Sequence, residues 1–540
     1  MAEEPDHDPR PGRAPRSGRP GGSRRPRQEP AAGRSRRDGD ERRGPSTRRG
    51  GAPSRGRGRQ GGGGRAGSAR GAAARQQHEG VASSRIVAYE VLTQVEEADA
   101  YANLVLPGLL RDRGITGRDA AFATELTYGT LRLRGRYDGV LALVSDRPVP
   151  ELDAPVARVL RLGAHQLLGM RVADHAAVSE SVALARRVAG NGPATFVNAI
   201  LRRISAHPVA HWIDRLGPVV TPSGLDVRAA AVVHSHPRWM VRAIRAALGP
   251  DTTPQEVETA LAANNEAPAV TLCLRPGLAT AQDLPAGTGE PARWAPSAWR
   301  MTAGGDPGAL PAVRTGAAAV QDEGSQLVTL ALAAVELDGA DQTWLDLCAG
   351  PGGKAALLGA LLAQRHPEGE LVANEVAPHR ARLVQDSVRA VAEVLPGLHV
   401  RTGDGRDVGT AEPGRYDRVL VDAPCTGMGA LRRRPEARWR RGPQDLATLG
   451  PLQRDLLTSA LQAVRRGGVV GYVTCSPHPA ETDVVVQDVL GRFPGAHLLD
   501  APAALAQVSG QQVVTTDGPT AQLWPHRHGT DAMYLALIRR

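Results

Sequence analysis

Cysteine and lysine are the scarce residues of this 540-residue chain: there are four cysteines, at positions 273, 348, 425 and 475, and one lysine, Lys354. The cysteines have no CxxC or His-rich spacing, which excludes a zinc site or a disulfide framework, and no metal is expected. Thiols in a reducing compartment remain available for chemistry. No stretch of about 18 apolar residues occurs and no apolar segment follows the N-terminal arginines, so neither membrane spanning nor secretion is indicated and a cytoplasmic location is expected. The single lysine stands at the end of a glycine-rich loop in a chain that otherwise uses arginine, which points to a need for a compact ammonium there.

What is present falls into blocks. Residues 1–80 carry 20 arginines against nine acidic residues, so the net charge of +10 belongs to this segment and the rest of the chain is close to neutral. Its Arg/Gly runs are too poor in apolar residues to offset the entropy of ordering, so a disordered basic tail is expected, either adding non-specific RNA affinity or serving as a solvated extension. From 82 to 210 apolar residues recur at helical spacing, as in Ala88, Val91, Leu92 and Val95, with Ser84 a candidate N-cap. This predicts an all-α domain. A helical connector is expected over 211–267 and a small α+β subdomain over 268–320. From 321 to 540 apolar runs alternate with helical patterns, the sign of a doubly wound, mostly parallel α/β sheet whose ligands sit at the carboxyl ends of the strands.

The chemistry-bearing segments all fall at predicted strand ends. Cys348-Ala349-Gly350-Pro351-Gly352-Gly353-Lys354 turns a strand into a helix and lets backbone approach a ligand closely. It has neither the spacing of a phosphate-binding P-loop nor that of a dinucleotide fingerprint, and fits the methionine end of S-adenosylmethionine better. Glu375, ending the second strand, is placed to accept from ribose hydroxyls, and Asp404, after the third, to pair with the adenine amino group. Asp422-Ala-Pro-Cys425 and Thr474-Cys475-Ser476 end the fourth and fifth. A thiolate can add to C6 of a pyrimidine and make C5 nucleophilic enough to take a methyl group, whereas Cys273 and Cys348 read as small hydrophobes in any chemical role.

Taken together, Asp346 to Lys354, Gly403-Asp-Gly-Arg406, Asp422 to Cys425, Arg432-Arg-Arg-Pro-Glu436 with Trp439, and Thr474 to Ser476 resemble the Sun-type RNA (cytosine-5) methyltransferases. The helical region resembles the NusB-like RNA-binding domain found in the bacterial ribosomal RNA small subunit methyltransferase B branch of that family. The resemblance covers about residues 82–540. It implies a Rossmann-like methyltransferase domain, S-adenosylmethionine as cofactor, Cys475 as nucleophile, Cys425 in product release, Asp422 against the cytosine ring near N3 and also by the cofactor, and Lys354 near donor and base. It further implies an RNA partner, small-subunit ribosomal RNA, acted on by a monomer. The same chemistry on transfer RNA, or a non-catalytic RNA-binding assembly factor, are the alternatives; a scaffold would have no reason to keep both strand-end cysteines.

Overall fold

Apolar residues three and four apart make the first part of the chain helical in the computed structural model, which describes residues 82–515 and 517–540. The tail expected over 1–80 lies outside the described residues. Val87, Ala88, Val91, Leu92 and Val95 form the buried side of helix α1 (Ser83–Glu97). With α2 (Ala102–Asp112), α3 (Gly117–Arg132), α4 (Arg134–Val144), α5 (Ala154–Leu168), α6 (Asp174–Ala189) and α7 (Asn191–Ser205), it closes an all-α bundle. Its single core includes Leu126, Tyr137, Leu160, Val197 and Leu201. Ser84 is not the N-cap of α1: it lies inside the helix and is buried, and the cap is Ala82. The Ala82 N–H donates to Glu180 of α6 at 3.3 Å, so a tertiary contact rather than a local hydroxyl satisfies the helix start.

Helix α8 (Val209–Leu216) leads into a short hairpin pairing Val220–Thr221 with Gly224–Leu225, and then into α9 (Val227–Val233), α10 (Arg238–Leu248) and α11 (Pro254–Ala263). The hairpin interrupts a stretch whose sequence reads as helical; Thr221 Oγ1 closes its turn by donating to the Gly224 carbonyl at 2.9 Å. A small antiparallel sheet follows, built from β1 (Thr271–Leu274), β2 (Gly289–Pro291), β3 (Ala298–Met301) and β4 (Ala318–Val320) in the order β2-β3-β1-β4.

The large sheet comprises β5 (Thr343–Asp346), β6 (Glu370–Glu375), β7 (Gly397–Thr402), β8 (Tyr416–Asp422), β9 (Val464–Thr474), β10 (His497–Leu499), β11 (Ala521–Gln522) and β12 (Tyr534–Arg539). Their order is β10-β12-β9-β8-β5-β6-β7, with β11 paired to β12. The five strands from β9 to β7 run parallel, and β12 is antiparallel to β9. Helices α12 (Glu323–Ala334), α13 (Gly353–Arg365) and α14 (Pro378–Ala392) cover one face, where Trp344, Leu420 and Val473 are buried. On the other, Leu345, Val419, Val421 and Tyr472 pack with α15 (Gly405–Ala411), α16 (Asp445–Ala463) and α17 (Asp483–Leu490). Successive strand residues alternate between these layers, and burial of each large apolar side chain contributes about 1.5–3 kcal/mol, which is why the central strands are continuous apolar runs. The chain order reverses between β5 and β8, and in a Rossmann-like sheet of this kind the crevice opens at the strand ends flanking that switch point.

Candidate active site

At the end of β5 the backbone turns sharply into α13. Gly352, the N-cap of α13, has φ 108°, and a Cβ there would stand 2.5 Å from the Ser387 Cβ. A Cβ on Gly350 would meet the tip of the Glu375 carboxylate at 2.2 Å, a side-chain end that must give way, so it is Gly352 whose backbone requires glycine. Glu375, buried at the end of β6, accepts from the N–H groups of Gly350 (3.1 Å) and Ala377 (3.0 Å) and pairs with Arg380 (3.3 Å). Its first employment is therefore to hold this loop. Ala349 N–H donates to the Asn374 carbonyl (2.8 Å), while the Asn374 amide bridges the carbonyls of Leu347 (3.1 Å) and Gly403 (3.0 Å), tying three strand ends together. Asp404 is the N-cap of α15, accepting from the Arg406 N–H at 3.0 Å, and its carboxylate is clasped by the Arg406 guanidinium at 2.6 Å. That hydrogen bonding holds its pKa below the usual carboxylate value.

Asp346, fully buried, is a functional candidate that strand-end reasoning passed over. Its Oδ1 accepts from the Cys348 N–H at 3.3 Å, whereas Oδ2 has no partner in the chain. Burial, followed by the nearby Asp422 charge, pushes its pKa up to about 7. Cys348 beside it is raised well above the ordinary thiol value by burial and by Asp346, consistent with a packing role.

Neighbouring strands β8 and β9 bring Cys425 and Cys475 together, with 3.4 Å between the Sγ atoms. The bond between them splits the pair: accepting it lowers Cys475 below the ordinary thiol value against the opposing effects of burial and Asp422, and donating it raises Cys425. Lys354 Nζ donates to Asp422 Oδ2 at 2.8 Å. Burial opposes the Lys354 charge, but Asp422 more than offsets it and holds the ammonium above its usual value. The four residues singled out from the sequence thus form one group: a thiolate-inclined cysteine, a protonated cysteine and an ion pair.

Glu481 carries no signal in the sequence, yet it is the fully buried hub of both cysteine loops. One carboxylate oxygen accepts from Thr426 N–H (2.8 Å) and the Gln453 amide (3.2 Å); the other accepts from the hydroxyls of Thr426 (2.5 Å) and Ser476 (2.6 Å). Each cysteine is therefore followed by a residue fastened to the same carboxylate, which is how a separation of one hydrogen bond is maintained.

The segment after Cys425 runs back to the helical bundle. Arg433 pairs with Asp322 (2.6 Å) and Asp531 (3.2 Å). Glu436 accepts from the Ala102 N–H at 3.2 Å. Arg438 is completely buried without a carboxylate, donating to the Asn264 carbonyl (2.7 Å), the Asn265 side chain (2.7 Å) and the Arg132 carbonyl. Arg440 donates to the carbonyls of Val95 (2.9 Å) and Ala100.

The family profile described as 16S rRNA methyltransferase RsmB/F matches residues 333–539, and that of the NusB family matches residues 82–206. The putative methyltransferase Rv1407 of Mycobacterium tuberculosis is 50% identical over 459 residues, covering 85% of this chain and 96% of that protein. Ribosomal RNA small subunit methyltransferase B of Pseudomonas putida is 30% identical over 451 residues, covering 80% and 95%. The solved structure of the protein PH0851 superposes with a TM-score of 0.66 at 19% identity over 84% of this chain and 97% of that one, a likeness of fold.

Proposed function

We propose a specific reaction for this chain, which belongs to the ribosomal RNA small subunit methyltransferase B family of RNA methyltransferases: methylation of C5 of a cytosine in small-subunit ribosomal RNA, with S-adenosylmethionine as donor. The observation that carries the reading is the contact between the two strand-end thiols beside the Asp422–Lys354 pair. C5 of cytosine is not nucleophilic by itself. The Cys475 thiolate forms an Sγ–C6 bond, the electrons of the C5–C6 double bond become available at C5, and Asp422 hydrogen-bonds the ring near N3 where charge accumulates. After alkylation at C5, with the donor leaving as a neutral thioether, a base takes the C5 proton, the double bond re-forms and the Sγ–C6 bond breaks, returning the Cys475 thiolate. Cys425 serves this release as that base: once Cys475 is bonded to C6 the pair no longer shares a proton, so Cys425 can lose its own to solvent and accept the one from C5.

S-adenosylmethionine, when bound, supplies a methyl group on a positively charged sulfonium. The residues of this chain fit such a donor. Asp346 Oδ2 is a buried acceptor without a partner in the chain, and Gly352 lets the loop turn tightly into α13 with φ 108°. Cys348, Ala349, Gly350, Pro351, Gly352, Gly353 and Lys354 would line one end of it, with Glu375, Asp404 and Asp422 along the strand ends. Asp404 would have to exchange its clasp on Arg406 for the adenine.

Incubating the purified chain with S-adenosylmethionine and unmodified small-subunit ribosomal RNA, followed by bisulfite sequencing, tests the reading. A single protected cytosine is expected. Methylation of transfer RNA alone, or of a position other than C5, would contradict it.

A further inference from the structure

Of the arginines in the segment that follows Cys425, those at 432, 433, 438 and 440 are spent on carbonyls and carboxylates of the protein. Arg434 and Arg441 remain, and of the two it is Arg434 that is held against the helical bundle. It is exposed, and among the described residues no carboxylate pairs with it. Its guanidinium packs over the Tyr101 ring at 5.6 Å from the centroid, so it is held in place by the helical bundle rather than by its own domain. Tyr101 is in turn fixed: Arg440 lies 5.0 Å from its ring centroid, the next residue donates its N–H to Glu436, and the preceding carbonyl accepts from Arg440. Tyr101 is 38% exposed, and Leu104 on the same helix start is 72% exposed. An aromatic ring, an exposed leucine and a guanidinium without a carboxylate partner among the described residues thus stand together where two parts of the molecule meet, on a turn tied to the nucleophile's own backbone: the Gly429 N–H donates to the Cys475 carbonyl at 2.8 Å and the Arg434 N–H to the Ala430 carbonyl at 2.9 Å.

Exposed arginines on helical proteins are usually only solvated. Against that, holding a long side chain over a ring costs rotamer entropy, and this one is held on the turn that is bonded to the Cys475 carbonyl. Service to the thiol is a weak explanation, because a charge in contact with water is strongly screened, and Cys425 and Lys354 already lower Cys475 from inside. A base that must leave its stack to reach a cysteine needs its backbone gripped beside it, and a planar guanidinium matches a phosphodiester better than any other side chain.

We propose that Arg434, positioned by Tyr101, binds the RNA phosphate adjacent to the target cytidine, so that the helical bundle helps to build the nucleotide site. The inference rests on the functional reading above.

The test uses the full chain carrying R434A, R434K or Y101A, with filter binding to a fragment of small-subunit ribosomal RNA, without cofactor, at several salt concentrations. R434A is expected to weaken binding about tenfold and to reduce the salt slope by about 0.7, the value of one single-strand phosphate contact. R434K should recover part of the affinity. Y101A should lie between R434A and the parent, because the cation remains but is no longer held. Iodoacetamide alkylation of Cys475 without RNA should change less than about twofold in R434A. Wild-type affinity and salt slope in R434A, with or without slower alkylation, would overturn the proposal. Arg434-dependent binding by a protein that places no methyl group on C5 would support the phosphate site and count against the catalytic reading alone.

Discussion

Cys475 shows how the site divides its labour. Burial and the Asp422 carboxylate both disfavour a thiolate, and what overcomes them is first the hydrogen bond from Cys425 and then the charge of Lys354, the exposed Arg434 adding least. The pair is asymmetric because one sulfur donates and the other accepts. Alkylation of Cys475 by iodoacetamide, followed by mass spectrometry across roughly pH 6–10, is therefore expected to have its midpoint below the ordinary thiol value of about 8.5. In Cys425→Ala the largest lowering influence is gone, so the midpoint should move up, with reactivity lost at the acid end first. A midpoint that stayed put or fell would mean that the second thiol does not tune the first. Cys425, Cys475 and Asp422 were legible from sequence because each stands at or just after the end of an apolar run, and a parallel sheet puts the ends of such runs side by side; Lys354 was legible as the single lysine, at the end of a glycine-rich loop. Glu481 was not legible. It lies six residues after Cys475 in a polar stretch, and only the tertiary fold turns it inward onto both loops.

Among elements, the central strands β5 to β9 declared themselves by continuous apolar runs, whereas β10 and β11, of three and two residues, are too short to carry a period. The hairpin between α8 and α9 was hidden for the same reason. The connection from Cys425 to the bundle was half legible: Arg432 to Trp439 stood out as a motif, but nothing in an Arg-rich run says which guanidinium is buried. Arg432 and Arg438 are the buried ones, and the four acceptors of Arg438 come from Arg132, Ser235 and the adjacent Asn264 and Asn265, three separate places in the fold. Arg438→Met keeps much of the volume but strands those oxygens, so a loss on the order of 3–5 kcal/mol of unfolding free energy is expected. Urea denaturation monitored by tryptophan fluorescence measures it. An unchanged midpoint would show that the buried guanidinium is no anchor.

At the scale of the whole molecule, the described residues, 82–515 and 517–540, belong to one compact unit in which the NusB-like helical bundle is fastened to the segment that follows Cys425. No helix among the described residues is long and apolar enough to cross a membrane. The positive charge of the sequence is concentrated in residues 1–80, outside the described part, while the fold beyond them is nearly neutral overall. Placement of single guanidinium groups, rather than bulk charge, is thus what the folded part has with which to hold RNA. The proposed reaction turns on one event, formation and release of a bond between protein and RNA, and that event can be watched directly. Full-length Cys425→Ala and Cys475→Ala, each incubated with S-adenosylmethionine and small-subunit ribosomal RNA, are compared on a denaturing gel. Cys425→Ala should accumulate a protein–RNA complex that survives denaturation, because the bond forms and is not released, and Cys475→Ala should give none. A trapped complex with Cys475→Ala and none with Cys425→Ala would contradict the account, making Cys425 the nucleophile.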